Sequence, residues 1–339
     1  MFPPIRTSRL VVRAMCPEDG AVLWERRNDP EVAKYQDWVI PFPRDRADKI
    51  AIDCAAMAGP VNDDWWMAAI ELADSGEVIG DLVVHLENDG RTAEIGYTLA
   101  STYWQRGYAV EAAAALVEYL FVTLQVDRVW GMLHPDNRPS AMVLERLGML
   151  FEGHTRMSYW LEGEGSDDWI YGMLREDWEA WRDRPRTPPA DVRLVEVTPA
   201  NLTAVVELRT HKSQEVFVAP MARSLAQALR PGDHEGTPIE PWLRAITADG
   251  EIVGFAMFAL VEGKDPYLWR LLVDRKHQRR GIAARAMGLL EEEARAMGGK
   301  HLVLSFGEGR GSPGDFYLAL GYEPTGNDHG SETEVRKGL

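Results

Sequence analysis

The sequence predicts an α/β protein with mixed sheets, organised as two tandem copies of one fold. Three observations carry this reading. The first is internal repetition. Gly76-Glu77-Val78-Ile79-Gly80 returns as Gly250-Glu251-Ile252-Val253-Gly254. Gln105-Arg106-Gly107-Tyr108-Ala109 returns as Arg279-Arg280-Gly281-Ile282-Ala283, and Leu147-Gly148-Met149 as Leu320-Gly321-Tyr322, all at nearly constant spacing. The second is the order of hydrophobic patterns inside each copy: hairpin, strand, helix, strand, helix. The third is the break between the copies. Arg182 to Asp191 holds Pro185, Pro188 and Pro189 among charged residues, which can neither continue a helix nor join a central strand. The expected domains are residues 1–183, a linker at 184–191, and residues 192–339. A chain of 339 residues suits two cores of about 150 residues each.

Each element follows from its pattern. The G-E-V-I-G segment is a turn entering a strand, continued by Leu82-Val83-Val84 in the first copy and Phe255-Ala256-Met257-Phe258 in the second. A second strand covers Glu94 to Leu99 and Leu268 to Val273. A Gly turn then leads into a helix whose expected apolar face is Val110, Ala114, Val117, Phe121 and Leu124, or Ile282, Ala286, Leu289, Leu290 and Met297. A third strand covers Arg128 to Leu133 and His301 to Phe306, and a shorter helix ends each copy's motif at Leu-Gly. After the Pro-rich break, Val192 to Val197 alternates as a strand.

Composition excludes several classes. Hydrophobic residues make up 45% and charged residues 27%, the proportions of a globular chain. The net charge is −16, most of it carried before residue 186, which argues against a nucleic-acid surface. An acidic field of this kind is either a solvated face or an attraction for a cationic substrate. With only Cys16 and Cys54, neither a disulfide framework nor a cysteine metal cluster is expected, and no metal is called for. The first ten residues lack an apolar signal core, and the apolar run Val110 to Leu124 is short and carries Glu111 and Glu118. A soluble, reduced, cytoplasmic protein without membrane or nucleic-acid partners is expected, as a monomer or homodimer.

The Gly turn carries the chemistry. A strand that runs through Gly107 or Gly281 straight into a helix leaves unpaired backbone N–H groups at the positive end of the helix dipole, a seat for phosphate or pyrophosphate. Arg106, Arg279 and Arg280 add positive charge nearby. The turn matches neither the G-x-x-x-x-G-K-[ST] nor the G-x-G-x-x-G pattern, so the ligand is a pyrophosphate of another kind, of which coenzyme A is the obvious one.

These segments resemble the GNAT superfamily of acyl-CoA-dependent N-acetyltransferases, twice over. Gln278-Arg279-Arg280-Gly281-Ile282-Ala283 is similar to the superfamily's Q/R-x-x-G-x-G/A loop. Trp104-Gln105-Arg106-Gly107-Tyr108-Ala109, Asn137-Arg138-Pro139-Ser140 and Thr7-Ser8-Arg9-Leu10 resemble the branch that acetylates ribosomal-protein N-termini, where Trp stands in for the first Gln. Phe316-Tyr317 before Leu320-Gly321-Tyr322 resembles the F-Y-x-x-L-G-F segment. The resemblance implies acetyl-CoA as co-substrate, an amine acceptor, and a coenzyme site formed by Tyr97, Leu99, Gln105, Arg106, Gly107, Tyr108, Ala109 and Asn137. In the second copy the matching residues are Leu271, Val273, Gln278, Arg279, Arg280, Gly281, Ile282 and Ala283. Backbone N–H groups of Tyr97 to Leu99 and Leu271 to Val273 would polarise the thioester. Arg310, where many relatives have Asn, departs from the pattern.

Transfer to an amine needs a base for the ammonium and an acid for the thiolate. Tyr317 matches the family's general acid, although a packed aromatic beside Phe316 fits the same position. Ser140 is the matching donor of the first copy. Glu94, His85 and His134 are candidate bases there, with Glu308 in the second copy. Tyr35, Trp38 and Trp65-Trp66 lie where the family places its acceptor pocket, and equally suit a core. With a full loop and a tyrosine acid, the second copy is expected to be the better equipped catalyst. The acceptor is expected to be a small amine, with a protein N-terminus or a non-catalytic coenzyme-binding half as alternatives.

Overall fold

The computed structural model describes residues 2–339, the side chains of residues 328 and 329 excepted. It divides into two compact units, Met1–Asp183 and Arg184–Leu339. The first unit runs β1 (Ile5–Arg6), β2 (Leu10–Ala14), α1 (Asp19–Arg27), α2 (Pro30–Ala33), α3 (Arg44–Ala56), β3 (Trp65–Leu72), β4 (Val78–Glu87), β5 (Thr92–Leu99), α4 (Tyr108–Val122), β6 (Arg128–Leu133), α5 (Arg138–Leu147), β7 (Leu150–Leu161), β8 (Glu164–Leu174) and α6 (Arg175–Asp183). Its strands form one sheet in the order β1-β2-β3-β4-β5-β6-β8-β7.

The second unit runs β9 (Val192–Glu196), α7 (Leu202–Val206), α8 (Met221–Leu229), β10 (Asp233–His234), β11 (Thr237–Pro238), β12 (Glu240–Ala248), β13 (Glu251–Leu260), β14 (Tyr267–Val273), α9 (Ile282–Ala296), β15 (His301–Gly307), α10 (Gly314–Ala319), β16 (Glu323–His329) and β17 (Glu332–Gly338). Its main sheet has the order β16-β17-β15-β14-β13-β12-β9. Apart from β1 and the small β10–β11 ribbon, the two sheets share one connectivity, including the closing hairpin whose later strand lies inside the earlier one.

Each sheet is covered on both faces. In the first unit α4 and α5 bury Leu116, Leu120, Phe121 and Leu144 against Leu82, Val84 and Ile95, while α1 and α3 bury Leu23, Ala47 and Ala51 against Met67 and Ala69. In the second unit α9 and α10 cover Ile246, Phe258 and Leu304, and α7 and α8 cover Phe255, Met257 and Leu272. The helices α1, α2 and α3 of the first unit and α7 and α8 of the second are called the front helices below.

Two expectations change. The buried stripe of α4 is Ala112, Ala113, Leu116, Val117, Leu120 and Phe121, with Ala114 exposed. In a run of four alanines every face is equally apolar, so periodicity cannot orient the turn. In α9 the buried positions are Ile282, Ala286, Met287, Leu290 and Ala294, and Met297 caps the helix with 39% of its surface exposed.

The repeated second glycine of G-E-V-I-G has a packing cause. A Cβ at Gly80 would collide with the Thr98 carbonyl oxygen on β5, and one at Gly254 with the Leu272 carbonyl oxygen on β14. Close approach of two backbones therefore requires the same residue in both units.

Candidate active site

Both sites form where a parallel strand pair parts. β5 and β6 are in register only at Thr92–Arg128, Ala93–Val129 and Glu94–Trp130. β14 and β15 pair only at Tyr267–Val303 and Leu268–Leu304. Beyond these positions the facing edges of β5 and β14 have no ladder partner among the described residues, which leaves backbone donors available to a ligand.

The loops that follow repeat one backbone conformation. After β5 come a 3-10 turn at Ser101–Tyr103, then Gln105 at φ +64° and Gly107 at φ +81° before α4. After β14 come a 3-10 turn at Arg275–His277, then Arg279 at φ +63° and Gly281 at φ +76° before α9. Gln105 and Arg279 are not glycines, so the left-handed backbone is strained there in both units. Among the described residues no side chain caps the start of α4 or α9. Two left-handed residues ahead of a bare helix start aim successive N–H groups at one point, a nest for an anion.

The exchange of Trp for Gln at the head of the loop acquires a reason. Trp104 Nε1 donates to the Leu99 carbonyl at 2.9 Å, and Gln278 Nε2 donates to the Val273 carbonyl at 3.1 Å. Both side chains supply an N–H that ties the loop to the last residue of its strand. Gln278 is further held by reciprocal bonds with Gln214.

A leading segment clasps each loop. In the first unit the Glu111 carboxylate, on the first turn of α4, accepts from the Thr7 and Ser8 hydroxyls and from the Arg9 backbone and guanidinium. Arg9 also donates to the Arg106 carbonyl and lies over the Tyr108 ring. In the second unit Arg280 donates to the Thr187 carbonyl and Arg285 to the carbonyls of Pro189 and Ala190. The Pro-rich segment, expected as a linker, is thus held along the second unit's own loop. Arg280, expected among the coenzyme contacts, is 6% exposed, and its guanidinium also meets the His277 ring at 2.9 Å. Its charge is engaged inside the protein, and Arg279 is the exposed cation of that pair.

The remaining expected coenzyme residues sort by burial. Gln105, Arg106 and Gly107 are exposed, and Tyr108 and Ala109 are half-buried. Ile282 is 1% exposed and can offer only its backbone, whereas Ala283 beside it is half-buried. Leu271 and Val273 pack against the α9 core. Asn137 caps α5 by accepting from the Ser140 N–H, which explains the N-x-x-S spacing.

In the first unit the acid–base candidates fall into separate groups, Glu94 beside His85, His134 against Tyr35, and Ser140 with Tyr97. Glu94 faces away from the α4 core, in register between His85 on β4 and Trp130 on β6. Burial, with Glu87 and Asp37 adding their negative charge, pushes its carboxyl up to about 7. Trp130 Nε1 donates to Glu87 at 3.3 Å, and His85 stacks on the half-exposed Trp65 at 4.6 Å. Tyr35 stacks on His134 at 5.3 Å. Trp38 and Trp66, in contrast, are core residues at 7% and 0% exposure. Ser140 is held by Tyr97, whose hydroxyl donates to the Ser140 carbonyl at 2.8 Å and lies 2.8 Å from Ser140 Oγ. This phenol escapes a sequence reading because only the fold brings β5 onto the start of α5. Burial pushes the Tyr97 hydroxyl up, so it stays protonated.

In the second unit Tyr317 is 8% exposed and lies among Phe306, Phe316 and Tyr322. Burial, with the nearby Tyr267, pushes its hydroxyl up. Glu308 accepts from Thr333 at 3.2 Å, and Arg310 is exposed. The face of β14 that corresponds to Glu94 carries Trp269 and Arg270 instead. Among the described residues no group of three or more His, Cys, Asp or Glu is placed to hold a metal, and no helix is long and apolar enough to cross a membrane.

Two strand-parting clefts, each beside an anion nest, define a donor-binding transferase fold present twice. Sequence comparison gives the family: the profile of the acetyltransferase (GNAT) domain matches residues 9–150, and that of the acetyltransferase (GNAT) family matches residues 202–322. The chain belongs to the GNAT family and is an N-acetyltransferase. It is 32% identical over 177 residues to an uncharacterized N-acetyltransferase, p20, of Bacillus licheniformis, an alignment covering 51% of this chain and 96% of that protein. The ribosomal protein uS5 alanine N-acetyltransferase of Escherichia coli is 26% identical over 32% of this chain and 57% of its own length. A solved GNAT-family acetyltransferase from Bacillus anthracis, 26% identical, covers 51% of this chain and 99% of its own, with a TM-score of 0.46.

Proposed function

We propose that the chain transfers the acetyl group of acetyl-CoA to a primary amine of a small molecule, and that the first unit does so for a cationic amine. The observation that carries this reading is the Glu94 carboxyl, pushed up to about 7 at the parting of β5 and β6 with Glu87 and Asp37 nearby. A carboxyl poised there takes a proton from an ammonium, and the acidic surroundings draw that ammonium in. Trp65, Tyr35 and Trp130 would flank its carbon chain.

The nests before α4 and α9 suit the coenzyme pyrophosphate, with Arg106 and Arg279 as exposed cations. In the first unit the free edge of β5 around Tyr97 to Leu99 would polarise the thioester, and Ser140, backed by Tyr97, would return a proton to the thiolate. In the second unit Tyr317 is the corresponding donor, beside the free edge of β14 at Leu271 to Val273.

Thiol release measured against spermidine, an amino sugar, an aminoglycoside, free amino acids and an alanine-starting peptide tests the reading. Turnover of the small amines is expected. Turnover of the peptide alone would favour the protein N-terminal activity named for the Escherichia coli relative. Acetyl-CoA binding by a unit whose acid–base variants leave turnover unchanged would make that unit a non-catalytic coenzyme-binding module.

A further inference from the structure

The two central strands present charges of opposite sign on their front faces, Glu94 on β5 and Arg270 on β14. In the second unit Arg270 and Leu272 alternate along β14, and Leu272 packs with Met221, Phe255 and Met257 under the front helices. Arg270 shares that face, and its Nη2 donates to Gln227 Oε1 on α8 at 2.6 Å. Its Nη1 donates to the Trp269 carbonyl at 2.5 Å. Its Nε is covered and has no partner among the described residues. Burial and the neighbouring Arg223 on α8 both disfavour the charged guanidinium; Glu332 at the head of β17 and Tyr267 oppose them only in part. A guanidinium stays charged in a protein, so the site holds a half-buried cation that Glu332 compensates only in part.

We propose that the front cleft of the second unit takes an amine that also bears a carboxylate, an amino acid or close analogue, with Arg270 as the residue that selects the carboxylate. This rests on the reading of the chain as a small-amine acetyltransferase. The planar guanidinium fork matches a carboxylate, and a turn of the Gln227 side chain away from Nη2 would uncover the Nε edge for one. Glu332 accepts from Ser305, which in turn shares a 2.6 Å hydrogen bond with the Tyr267 hydroxyl, so a negative group lies at the parting of β14 and β15. The ammonium end of the ligand meets Glu332 while its carboxylate meets Arg270. In the transfer the amine nitrogen forms a bond to the acetyl carbon as the C–S bond breaks. Of the two protons the ammonium loses, one ends on the coenzyme thiol and the other passes to solvent.

The test uses the full chain carrying Glu94→Gln, which removes the proposed base of the first unit. Glycine, L-methionine and L-glutamate are compared with their α-amides and with O-phosphoethanolamine, by thiol release and by calorimetric titration of the CoA-saturated protein. Free acids should bind and turn over at least tenfold better than the amides. Adding Arg270→Gln should raise KM for the acids at least tenfold, leave kcat nearly unchanged and erase the acid–amide difference, with partial rescue by Arg270→Lys. If Arg270→Gln does not fold, Arg223→Gln on the exposed face of α8 should weaken acid binding severalfold and leave amide binding alone. Equal use of acids and amides, an acid–amide ratio indifferent to Arg270, or preference for phosphoethanolamine overturns the proposal. Titration reads the carboxylate preference even if no acceptor turns over, so failure of the transferase reading is seen separately.

Discussion

Glu94 sets the pH behaviour expected of the first unit. Its carboxyl is pushed up to about 7, and in the proposed role of base it works only when deprotonated, so kcat/KM for a cationic amine should rise through that range. Glu94→Gln should lower turnover by ~10²–10⁴-fold, as for loss of a general base, and remove the rising limb. A profile that keeps its limb in the variant assigns the titration to another group. Tyr317→Phe keeps the ring among Phe306, Phe316 and Tyr322 and removes only the hydroxyl. As a general acid it should cost turnover at constant acetyl-CoA affinity, whereas a packing residue should cost little of either. Trp104→Phe removes the N–H that reaches the Leu99 carbonyl, a loss of about 1 kcal/mol, and should weaken acetyl-CoA binding to the first unit roughly fivefold. Unchanged affinity would show that the loop holds its shape without that bond. Legibility at this scale followed chemistry that is local in sequence. Glu94 and the loop residues stand in readable motifs, but the environment of Glu94 comes from Glu87 and Asp37, which reach it only through strand register and a front loop. Tyr97 and Arg270 were not legible as functional side chains for the same reason.

Among the elements, the clasp on α4 has a pH signature of its own. Burial alone would raise the Glu111 carboxyl, but hydrogen bonds from Thr7, Arg9 and Ser8 outweigh burial and hold it below the usual carboxylate range. A depressed native pKa contributes stability above the unfolded value, near ~4.5, and that contribution is lost as pH falls through the native value. Glu111→Gln should therefore lower the melting temperature at pH 7 and converge with the parent protein in acid. A gap that persists at pH 3 would point to packing instead of charge. The loop glycines carry a second constraint. Gly107 and Gly281 are left-handed, so replacing either by tryptophan strains the backbone as well as filling the anion seat. The strands and helices of the repeated motif were legible from period and turn signals. The closing hairpins β7–β8 and β16–β17 were not, because Glu152, Glu164, Asp167 and Asp168, or Glu323, Glu332 and Glu334, interrupt any clean alternation. The face of α4 was hidden in its alanines.

For the whole molecule, duplication was the most legible property, because glycines fixed by backbone approach or by left-handed geometry cannot drift. The opposite charges on the front faces of β5 and β14 were not legible, since Glu94 and Arg270 acquire their meaning only from what each strand faces. Limited trypsin treatment bears on the segment between the units. Arg182 and Arg186 are exposed, while Arg184 precedes proline. Cleavage should give two fragments in proportion to the unit lengths, with Arg285→Ala accelerating the cut by freeing the Pro189 and Ala190 carbonyls. Equal rates would show that these bonds do not restrain the segment. The two clasps also have a consequence for engineering. On α4 the clasped residue is an acceptor of hydrogen bonds, Glu111; on α9 it is a donor, Arg285. The halves share a topology yet have become non-interchangeable parts, like two plugs of opposite gender. A chimera that grafts Thr7-Ser8-Arg9 ahead of β9 would set one guanidinium against another, so shuffling of such tandem enzymes has to move each lead-in together with its own helix.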